Sequence, residues 1–444
     1  MISSPGGPAP ASDRMHDALY NRVAWRLLPV LMLAYMVAFI DRVNVGFAKL
    51  QMQDALGFSE TVFGLGAGLM FVGYFLLEVP SNLLLVRIGV RKTFLRIMVL
   101  WGLCTVAMVY VTTPLQFYIA RFLLGAFEAG LFPGVILYLT FWFPEHRRGR
   151  AVGIIAMAAL IGNVLAGPLS GAAMKYLEGV NGLAGWQWLF ITQGVPAILL
   201  GFVVYWWLDD HPGKASWLSA EEKQTIEAQT RSDPAASFKD AFIMLKDPRF
   251  LGLVLIGFLV IGAQYTMVFW VPTLIKSWGV VDVFHIGLLS AMPSVMGVVG
   301  IFLLTRHSDL KGERRWHFAA AAVVSAIGLW LTTVTQSQLI PSLLALCFAS
   351  LGIASATPVL LTAVTEYLPP RHRAIGIPLM TSLSILGAFA SPALTGMLNT
   401  RMGTPIYSMY LIIGLFVLAG LLMLIVLPAA GKPGFEKRAD AGSS

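Results

Sequence analysis

Long apolar runs separated by short polar interruptions make up most of the chain. Twelve of these runs contain about 20 or more mostly apolar residues, the length that an α-helix needs to cross the hydrocarbon core of a bilayer. They lie at roughly 24–48, 59–86, 93–113, 115–142, 149–176, 187–208, 249–275, 284–305, 316–336, 339–367, 373–399 and 404–428. The pattern predicts an all-α membrane protein with twelve transmembrane helices.

The composition supports this prediction. Of the 444 residues, 57% are hydrophobic and 12% are charged, whereas roughly a quarter of the residues are charged in an average soluble domain. The first 22 residues are small and polar, without an apolar core followed by a cleavage site. We therefore predict no removable signal peptide and expect the first span to direct membrane insertion.

The distribution of the basic residues predicts an orientation. With both termini inside, the internal segments contain 25 Lys and Arg residues and the external segments contain four. The external residues are Lys49, Lys175, Lys276 and Arg401. This is the positive-inside pattern, so the net charge of +8 reflects topology and no nucleic-acid partner is expected. We predict a multi-pass protein of the inner (cytoplasmic) membrane with both termini in the cytoplasm.

The two parts of the chain repeat each other. The tetrapeptide G-V-R-K at Gly89 recurs as G-E-R-R at Gly312, an offset of 223, and the motif around Ala151 recurs around Ala374 at the same offset. Such matches indicate duplication, and two halves with a site between them near the midplane are typical of a secondary transporter. The predicted parts are a tail 1–22, six-helix bundles 23–209 and 249–428, a linker 210–248 containing a short amphipathic helix, and a tail 429–444. We expect two pseudo-symmetric halves that function as a monomer.

Five ionisable residues lie well inside the predicted spans, all in the first half. They are Asp41, Arg42, Glu78, Arg121 and Glu128. Such residues are costly in hydrocarbon and usually face a pathway or a partner; Arg121 and Glu128, seven positions apart, share one helix face. Carboxyls beside cations in a desolvated site can titrate near working pH, which favours Asp41 and Glu128 as proton carriers. The alternative is permanent ion pairs that hold helices together, and for Glu78 a structural role is favoured slightly.

The second half offers neutral polar groups inside its spans. Gln264, Tyr265 and Ser384 are its candidates for substrate contact, and Asn163 in the fifth span is polar enough to join them. The chain contains no nucleotide-binding loop, no metal-ligand spacing and no nucleophile elbow. We therefore expect no enzymatic activity and no cofactor, with transport driven by an ion gradient.

Two tight basic turns occupy corresponding places in the two halves. The first contains Arg87, Arg91 and Lys92, and the second contains Asp309, Arg314 and Arg315. Their charge is explained equally well by orientation of the protein and by an interdomain latch that breaks when the halves rock. Both explanations remain open.

Several segments resemble the major facilitator superfamily, and within it the anion:cation symporters that take up organic acids with protons. They are F-I-D-R-V-N-V-G-F-A-K from Phe39, E-V-P-S-N-L from Glu78, R-F-L-L-G-A-F-E-A-G-L-F-P-G from Arg121, W-F-P-E-H-R-R-G-R-A from Trp142 and S-D-L-K-G-E-R-R-W-H from Ser308. The similarity extends over nearly the whole chain.

The resemblance implies proton-coupled import of a small carboxylate across the membrane. It implies that Asp41 and Glu128 carry protons, that Arg42 and Arg121 are linked to them or to the substrate, and that Tyr74 and Asn163 belong to the pocket. Many relatives have asparagine in the eleventh helix close to where this chain has Ser384 to Gly387. That departure leaves the substrate open among aldonates, hexuronates, tartrate, aromatic acids and nicotinate.

Two other functions compete with this one. The motif N-x-x-x-G-P-x-x-G from Asn163 partly resembles the fifth-helix motif of antiporters, which suggests a proton-linked exporter of amphipathic compounds. Arg42 and Arg121 favour an anion instead. A sensor built on a transporter fold would need a sizeable soluble output domain, and fewer than 20 residues follow Leu427.

Overall fold

The computed structural model describes residues 11–230 and 243–427. The predicted tail 429–444 and part of the predicted linker lie outside the described residues. The helices are α1 (Ala11–Leu56), α2 (Glu60–Ile88), α3 (Val90–Ala107), α4 (Pro114–Glu128), α5 (Leu131–Trp142), α6 (Glu145–Tyr176), α7 (Gly185–Trp207), α8 (Ala220–Thr230), α9 (Pro248–Ser277), α10 (Val283–Lys311), α11 (Arg315–Val334), α12 (Leu339–Tyr367), α13 (Pro370–Ser384), α14 (Gly387–Met402) and α15 (Ile406–Val426).

Within the described ranges, twelve helical segments are long and apolar enough to cross a membrane, in agreement with the predicted number. Two of them are interrupted: α4 and α5 form one span, and α13 and α14 form another. The first break falls at Gly130, whose φ of 89° is unfavourable for residues with a side chain. A Cβ atom there would lie 2.6 Å from the Ser81 hydroxyl oxygen. The break therefore ends α4 directly after Glu128.

Each half is a bundle of six spans. In the N-terminal half, α3 packs on α7, α2 on α4 and α1 on α6; in the C-terminal half, α11 packs on α12 and α15, and α10 on α12. The halves meet through α6 against α10, α2 against α14, and α1 against α9. Two bundles related by a repeat, with paired helices along the seam, confirm the predicted fold class. The exact domain limits stay a prediction.

The halves are joined mainly at one end of the bundle. We call the end with the α2–α3 and α10–α11 turns the termini end, and the opposite one the far end. The hydrogen bonds and ion pairs that the structure describes between the halves lie from the level of Glu78 and Ser382 toward the far end, where Lys175 meets Asp282 and Lys276 meets Asp54.

Close backbone approach also joins the halves there. A Cβ atom on Gly167 of α6 would lie 2.4 Å from the carbonyl oxygen of Gly287 in α10, and one on Gly287 would lie 2.3 Å from the carbonyl oxygen of Gly167. Only glycine at both positions permits this spacing, as in other membrane helix pairs with small residues at the interface. The crossing holds α6 and α10 together near the far end.

A polar network centred on Glu60 also holds the two halves together at the far end, and we call this network the far-end seal. Glu60 accepts from Lys49 at 2.8 Å within its own half, and from Trp270 at 3.2 Å and Asn399 at 3.3 Å in the other half. Lys49 is only 1% exposed and its ammonium lies 4.6 Å from the Trp270 ring centroid. Lys49, which the sequence assigned to the external surface, is thus a buried cation of the seal.

The predicted short helix of the linker is α8, and it packs on the N-terminal half. Ile226 is fully buried, Tyr20 donates to Gln229 at 2.9 Å, and Glu222 pairs with Arg22. Trp217 stacks on Trp142 with ring centroids 5.7 Å apart. The first part of the linker is therefore anchored to the N-terminal half.

Candidate functional site

Four charged side chains lie together in the interior of the N-terminal half. Asp41, Arg121 and Glu128 are fully buried and Arg42 is 8% exposed. Asp41 and Arg42 come from the middle of α1, and Arg121 and Glu128 come from α4. Adjacent positions on a helix point in different directions, so Asp41 and Arg42 face different neighbours.

Arg42 links the charged group to the C-terminal half. It pairs with Glu128 through Nη2, and its Nε lies 3.2 Å from the same carboxylate oxygen. Its Nη1 donates to the hydroxyl of Tyr265 in α9 at 3.1 Å. The guanidinium also lies 5.3 Å from the ring centroid of Tyr74, within reach of a cation–π interaction.

Asp41 is held by neutral donors from its own half. It accepts from the Trp101 indole at 2.7 Å, the Thr105 hydroxyl at 2.8 Å and the Asn44 amide at 2.9 Å. The sequence did not single out these three donors, because a tryptophan or threonine in an apolar run has no distinguishing pattern. Asp41 is therefore satisfied without a direct ion pair.

Arg121 has few partners for a buried cation. Its Nη2 lies 3.4 Å from the Met70 sulfur, and in the described part of the chain Nε and Nη1 have no hydrogen-bond acceptor. It is close enough to interact electrostatically with Asp41 and Glu128. The shared helix face did not make an Arg121–Glu128 hydrogen bond: the described contacts of Glu128 go from Oε1 to Arg42 of α1.

A cavity of about 430 Å³ lies between the halves, beside this charged group. It is lined by α1, α6, α9, α10 and α12. Of the predicted substrate-binding residues, Asn163, Gln264 and Tyr265 line it. Arg42 is connected to the cavity by its hydrogen bond to Tyr265, which lines the cavity. Asp41, Arg121 and Glu128 are not among the lining residues.

Ser384 and Glu78 lie elsewhere. The Ser384 hydroxyl donates to the carbonyl oxygen of Val254 at 3.1 Å and is fully buried, outside the cavity lining. Glu78 accepts from Ser382 of the other half at 2.7 Å. This contact fits the structural role favoured for Glu78, whereas a substrate contact by Ser384 stays a prediction that the cavity does not support.

The basic turns bond within their own halves. Arg91 donates to the Tyr205 carbonyl oxygen at 2.7 Å, and its backbone N–H donates to Asp210 at 3.1 Å. Arg314 contacts Asp309 at 2.7 Å and Glu366 at 2.9 Å. Burial opposes ionisation of Arg314, but these carboxylates raise its pKa. Among the residues that the structure describes, Arg91 and Arg314 make no hydrogen bond or ion pair across the halves. An interdomain latch stays a prediction, as do roles for Arg87, Lys92 and Arg315.

The charged group is balanced in its ionised form, with two carboxylates and two guanidiniums. Adding a proton to either carboxyl would leave one buried positive charge without compensation. Such a charge is costly in a low-dielectric site, and an anion in the neighbouring cavity would restore the balance. The arrangement can therefore favour joint uptake of a proton and an anion.

Curated proteins of similar sequence carry the names of transporters. The chain is 41% identical over 423 residues to a Pseudomonas putida protein named as metabolite transport protein NicT, covering 94% of this chain and 96% of that one. It is 40% identical to an Agrobacterium vitis protein named as a tartrate transporter, covering 95% and 97%. It is also 37% identical to the quinolone resistance transporter of Acinetobacter baumannii, covering 92% and 94%.

A solved structure and a family model agree with these relatives. The crystal structure of a bacterial homologue of the human lysosomal transporter Spinster, in an inward-facing and unoccupied conformation, superposes with a TM-score of 0.77 at 19% identity, covering 95% of this chain and 98% of that one. The model of the Major Facilitator Superfamily matches residues 31–340 and 274–444. Together with the twelve spans and the repeated six-helix halves, these matches show that the chain belongs to the Major Facilitator Superfamily and is a multi-pass membrane transporter, not an enzyme.

Proposed function

We propose that the protein imports a small organic anion, a carboxylate, together with protons by alternating access. The observation that carries this proposal is the balanced group of Asp41, Arg42, Arg121 and Glu128 beside a cavity between the halves. In this mechanism Asp41 and Glu128 carry protons, and no cofactor besides the proton gradient takes part. The anion binds at Arg42 and Tyr265, under the influence of Arg121.

Coupling follows from electrostatics. Protonation of Glu128 weakens its pairing with Arg42, so the guanidinium can turn its charge toward an anion at Tyr265. By linkage, the anion favours protonation to the same extent that the proton favours anion binding. Tyr74, Asn163 and Gln264 complete the pocket around this contact.

The far-end seal supports one conformational assignment. If the termini are cytoplasmic, as the positive-inside distribution predicts, the Glu60 network closes the periplasmic side and the cavity communicates with the cytoplasm. The two basic turns then lie at the cytoplasmic surface of the inner membrane. Monomeric function fits the site, because all its residues come from one chain.

A second candidate is proton-linked export of amphipathic compounds. Two observations favour it: the cavity is lined largely by apolar side chains, and one relative is a quinolone resistance transporter. The charge next to the cavity argues against this candidate for cations, because Arg42 repels them and no acidic side chain lines the described cavity.

Transport by the purified protein in proteoliposomes tests the proposal. Uptake of a labelled carboxylate should rise when the external solution is more acidic than the lumen and should fall when the gradient is dissipated. Under the same gradient, an exporter inserted in the native orientation would move a dye from the lumen to the external solution in exchange for protons that enter. Gradient-driven dye movement without carboxylate uptake would replace the first function with the second.

A further inference from the structure

The cavity has one corner suited to an anion and otherwise apolar walls. We propose that it selects a monocarboxylate with an apolar body of ring size, and rejects dicarboxylates and polyhydroxy acids of similar size. This inference rests on the proposed function, since it names the class of organic anion that the same site takes.

The walls are formed by aliphatic and aromatic side chains from both halves. Phe39 and Phe47 of α1 and Leu160 of α6 face Val268 and Val271 of α9 and Val298 of α10. Ligand sites lined in this way gain affinity from apolar contact and use a few polar groups for orientation. The body of the ligand therefore lies against hydrocarbon.

Most polar side chains in the lining already donate to other protein groups. Asn163 donates to Ser294 at 3.1 Å, and Gln264 donates to the Ile353 carbonyl oxygen at 2.5 Å while accepting from Thr357 at 2.9 Å.

The serine hydroxyls in the wall bond to their own helices. Ser290 donates to the Ile286 carbonyl oxygen at 2.7 Å, and Ser350 donates to that of Leu346 at 2.9 Å. These two hydroxyls are therefore occupied as donors, and a carboxylate, which only accepts, finds in this wall only the second amide N–H groups of Asn163 and Gln264, which are neutral.

Tyr265 is different. Its hydroxyl accepts from Arg42 at 3.1 Å, and among the described residues no acceptor takes its proton. The hydroxyl proton and the adjacent guanidinium form one donor corner. A first carboxylate is bound there, whereas a second would be buried away from this cation with at most the remaining amide N–H group of Asn163 or Gln264 as a donor, which does not compensate its charge.

The size of the cavity fits a ring. An apolar cavity on the order of 150 Å³ accommodates benzene in another protein, and this one has about 430 Å³. A single aromatic ring with its carboxylate is accommodated with space for substituents.

Calorimetric titration of the purified full-length protein tests the inference with three probes: benzoate, benzamide and L-tartrate, at a pH where both acids are ionised. Benzoate should bind at least tenfold more tightly than either of the others, which is about 1.4 kcal/mol at each comparison. Tyr265→Phe should remove most of the preference for benzoate over benzamide. Tyr410→Phe, on the outer surface of α15 and 49% exposed, is the matched control and should keep it.

The outcomes separate this inference from the proposed function. Tartrate binding as tightly as benzoate, with proton-driven tartrate uptake in proteoliposomes, overturns the inference and leaves organic anion import standing. If benzamide binds as tightly as benzoate, the corner formed by Tyr265 and Arg42 does not recognise a negative charge, and the inference is overturned. Absence of binding by both acids, together with absence of proton-driven uptake, overturns both.

Discussion

The guanidinium of Arg42 contacts one oxygen of Glu128, Oε1, through two of its nitrogens, and the other oxygen of Glu128, Oε2, has no partner among the described residues. An ionised carboxylate accepts hydrogen bonds at both oxygens. The free oxygen of Glu128 is thus available for a proton, and the third contact of Arg42 reaches Tyr265 across the seam.

The first prediction concerns Glu128→Gln, which imitates the protonated carboxyl. The variant should exchange substrate between two pools of equal pH and lose accumulation, because no proton moves with the substrate. If the wild type couples one proton to each neutral cycle, it should accumulate substrate roughly tenfold per pH unit. Counterflow and gradient-driven uptake on one preparation measure both properties.

The control for Glu128→Gln is Glu227→Gln on the exposed face of α8, which should behave as the wild type. If Glu128 only holds helices together, its Gln variant should melt several degrees lower and bind poorly, since a buried cation loses its partner. Full gradient-driven accumulation by Glu128→Gln would exclude it from proton coupling.

Arg121 should matter for function more than for stability. Arg121→Met removes a buried cation with few hydrogen bonds, so the melting temperature should stay unchanged or rise. Benzoate affinity should fall at least threefold, because one carboxyl then takes the proton permanently and the pocket loses a positive charge. Arg121→Lys should rescue binding in part, since the ammonium keeps the charge but not the planar geometry.

Arg401→Ala at the exposed far end is the control for Arg121. Wild-type affinity in Arg121→Met would show that the cation does not influence the anion site. A large loss of thermal stability would instead make it a structural residue.

Glu60→Gln should loosen the far-end seal. Lys49 would lose its charge partner while still buried, and the bonds from Trp270 and Asn399 would weaken. Spin labels at Ala55→Cys and Val281→Cys, exposed at the far end on opposite halves, should then show an added population at longer distance in pulsed electron resonance. Asn399→Asp should have the same effect as Glu60→Gln. The new carboxylate would lie next to that of Glu60, and repulsion between the two should open the far end.

An unchanged distance distribution in Glu60→Gln would mean that close helix packing alone holds the far end. The control is Asp282→Asn, which breaks an exposed pair with Lys175. Exposed pairs contribute little, so its distribution should match the wild type.

Acid should weaken the Lys175–Asp282 contact in a defined range. The hydrogen bond from the Lys175 side chain holds the pKa of Asp282 below its usual range. Because the pKa is lower in the folded protein, any stabilisation is complete above about pH 3.9, the ordinary value for aspartate, and disappears as the pH falls through the folded-state pKa. Melting temperatures of the wild type and Asp282→Asn should therefore converge in acid, and a gap that widens there would contradict this.

Both termini should be cytoplasmic. A reporter fused after Ser444 that is active only in the cytoplasm should be active, and one that requires the periplasm should be silent. The control is the same pair of reporters inserted after Gly179 in the α6–α7 turn, which should give the opposite pattern.

The sequence predicted the twelve spans because hydrocarbon imposes a length and composition on each helix. It also predicted the buried charges Asp41, Arg42, Arg121 and Glu128, since a charge in the middle of an apolar run is visible without coordinates. It did not predict which charged side chains pair with each other. Glu128 shares a helix face with Arg121 but bonds to Arg42, because pairing depends on how α1 and α4 pack. The buried position of Lys49 was missed for the same reason, as it lies near the end of a run where positive charge is common.

The residues that line the cavity were also predicted only in part. Polar residues such as Gln264 and Tyr265 were recognisable as unusual within their spans, and the structure places both in the lining. Ser384 was equally unusual but faces the backbone of α9. A hydroxyl in a helix can bond a neighbouring carbonyl at little cost, so its direction is set by packing and not by sequence.

The reciprocal contact of Gly167 and Gly287 restricts how this protein can diverge. Each glycine is excluded from acquiring a side chain by the main chain of the other, so enlarging one residue cannot be offset by shrinking its partner. The two positions therefore cannot covary, although Gly167 itself lines the cavity and Gly287 belongs to a helix that does. Variation that changes the ligand is confined to positions away from this crossing, such as 160, 268 and 298, and a library intended to alter specificity should keep both glycines fixed.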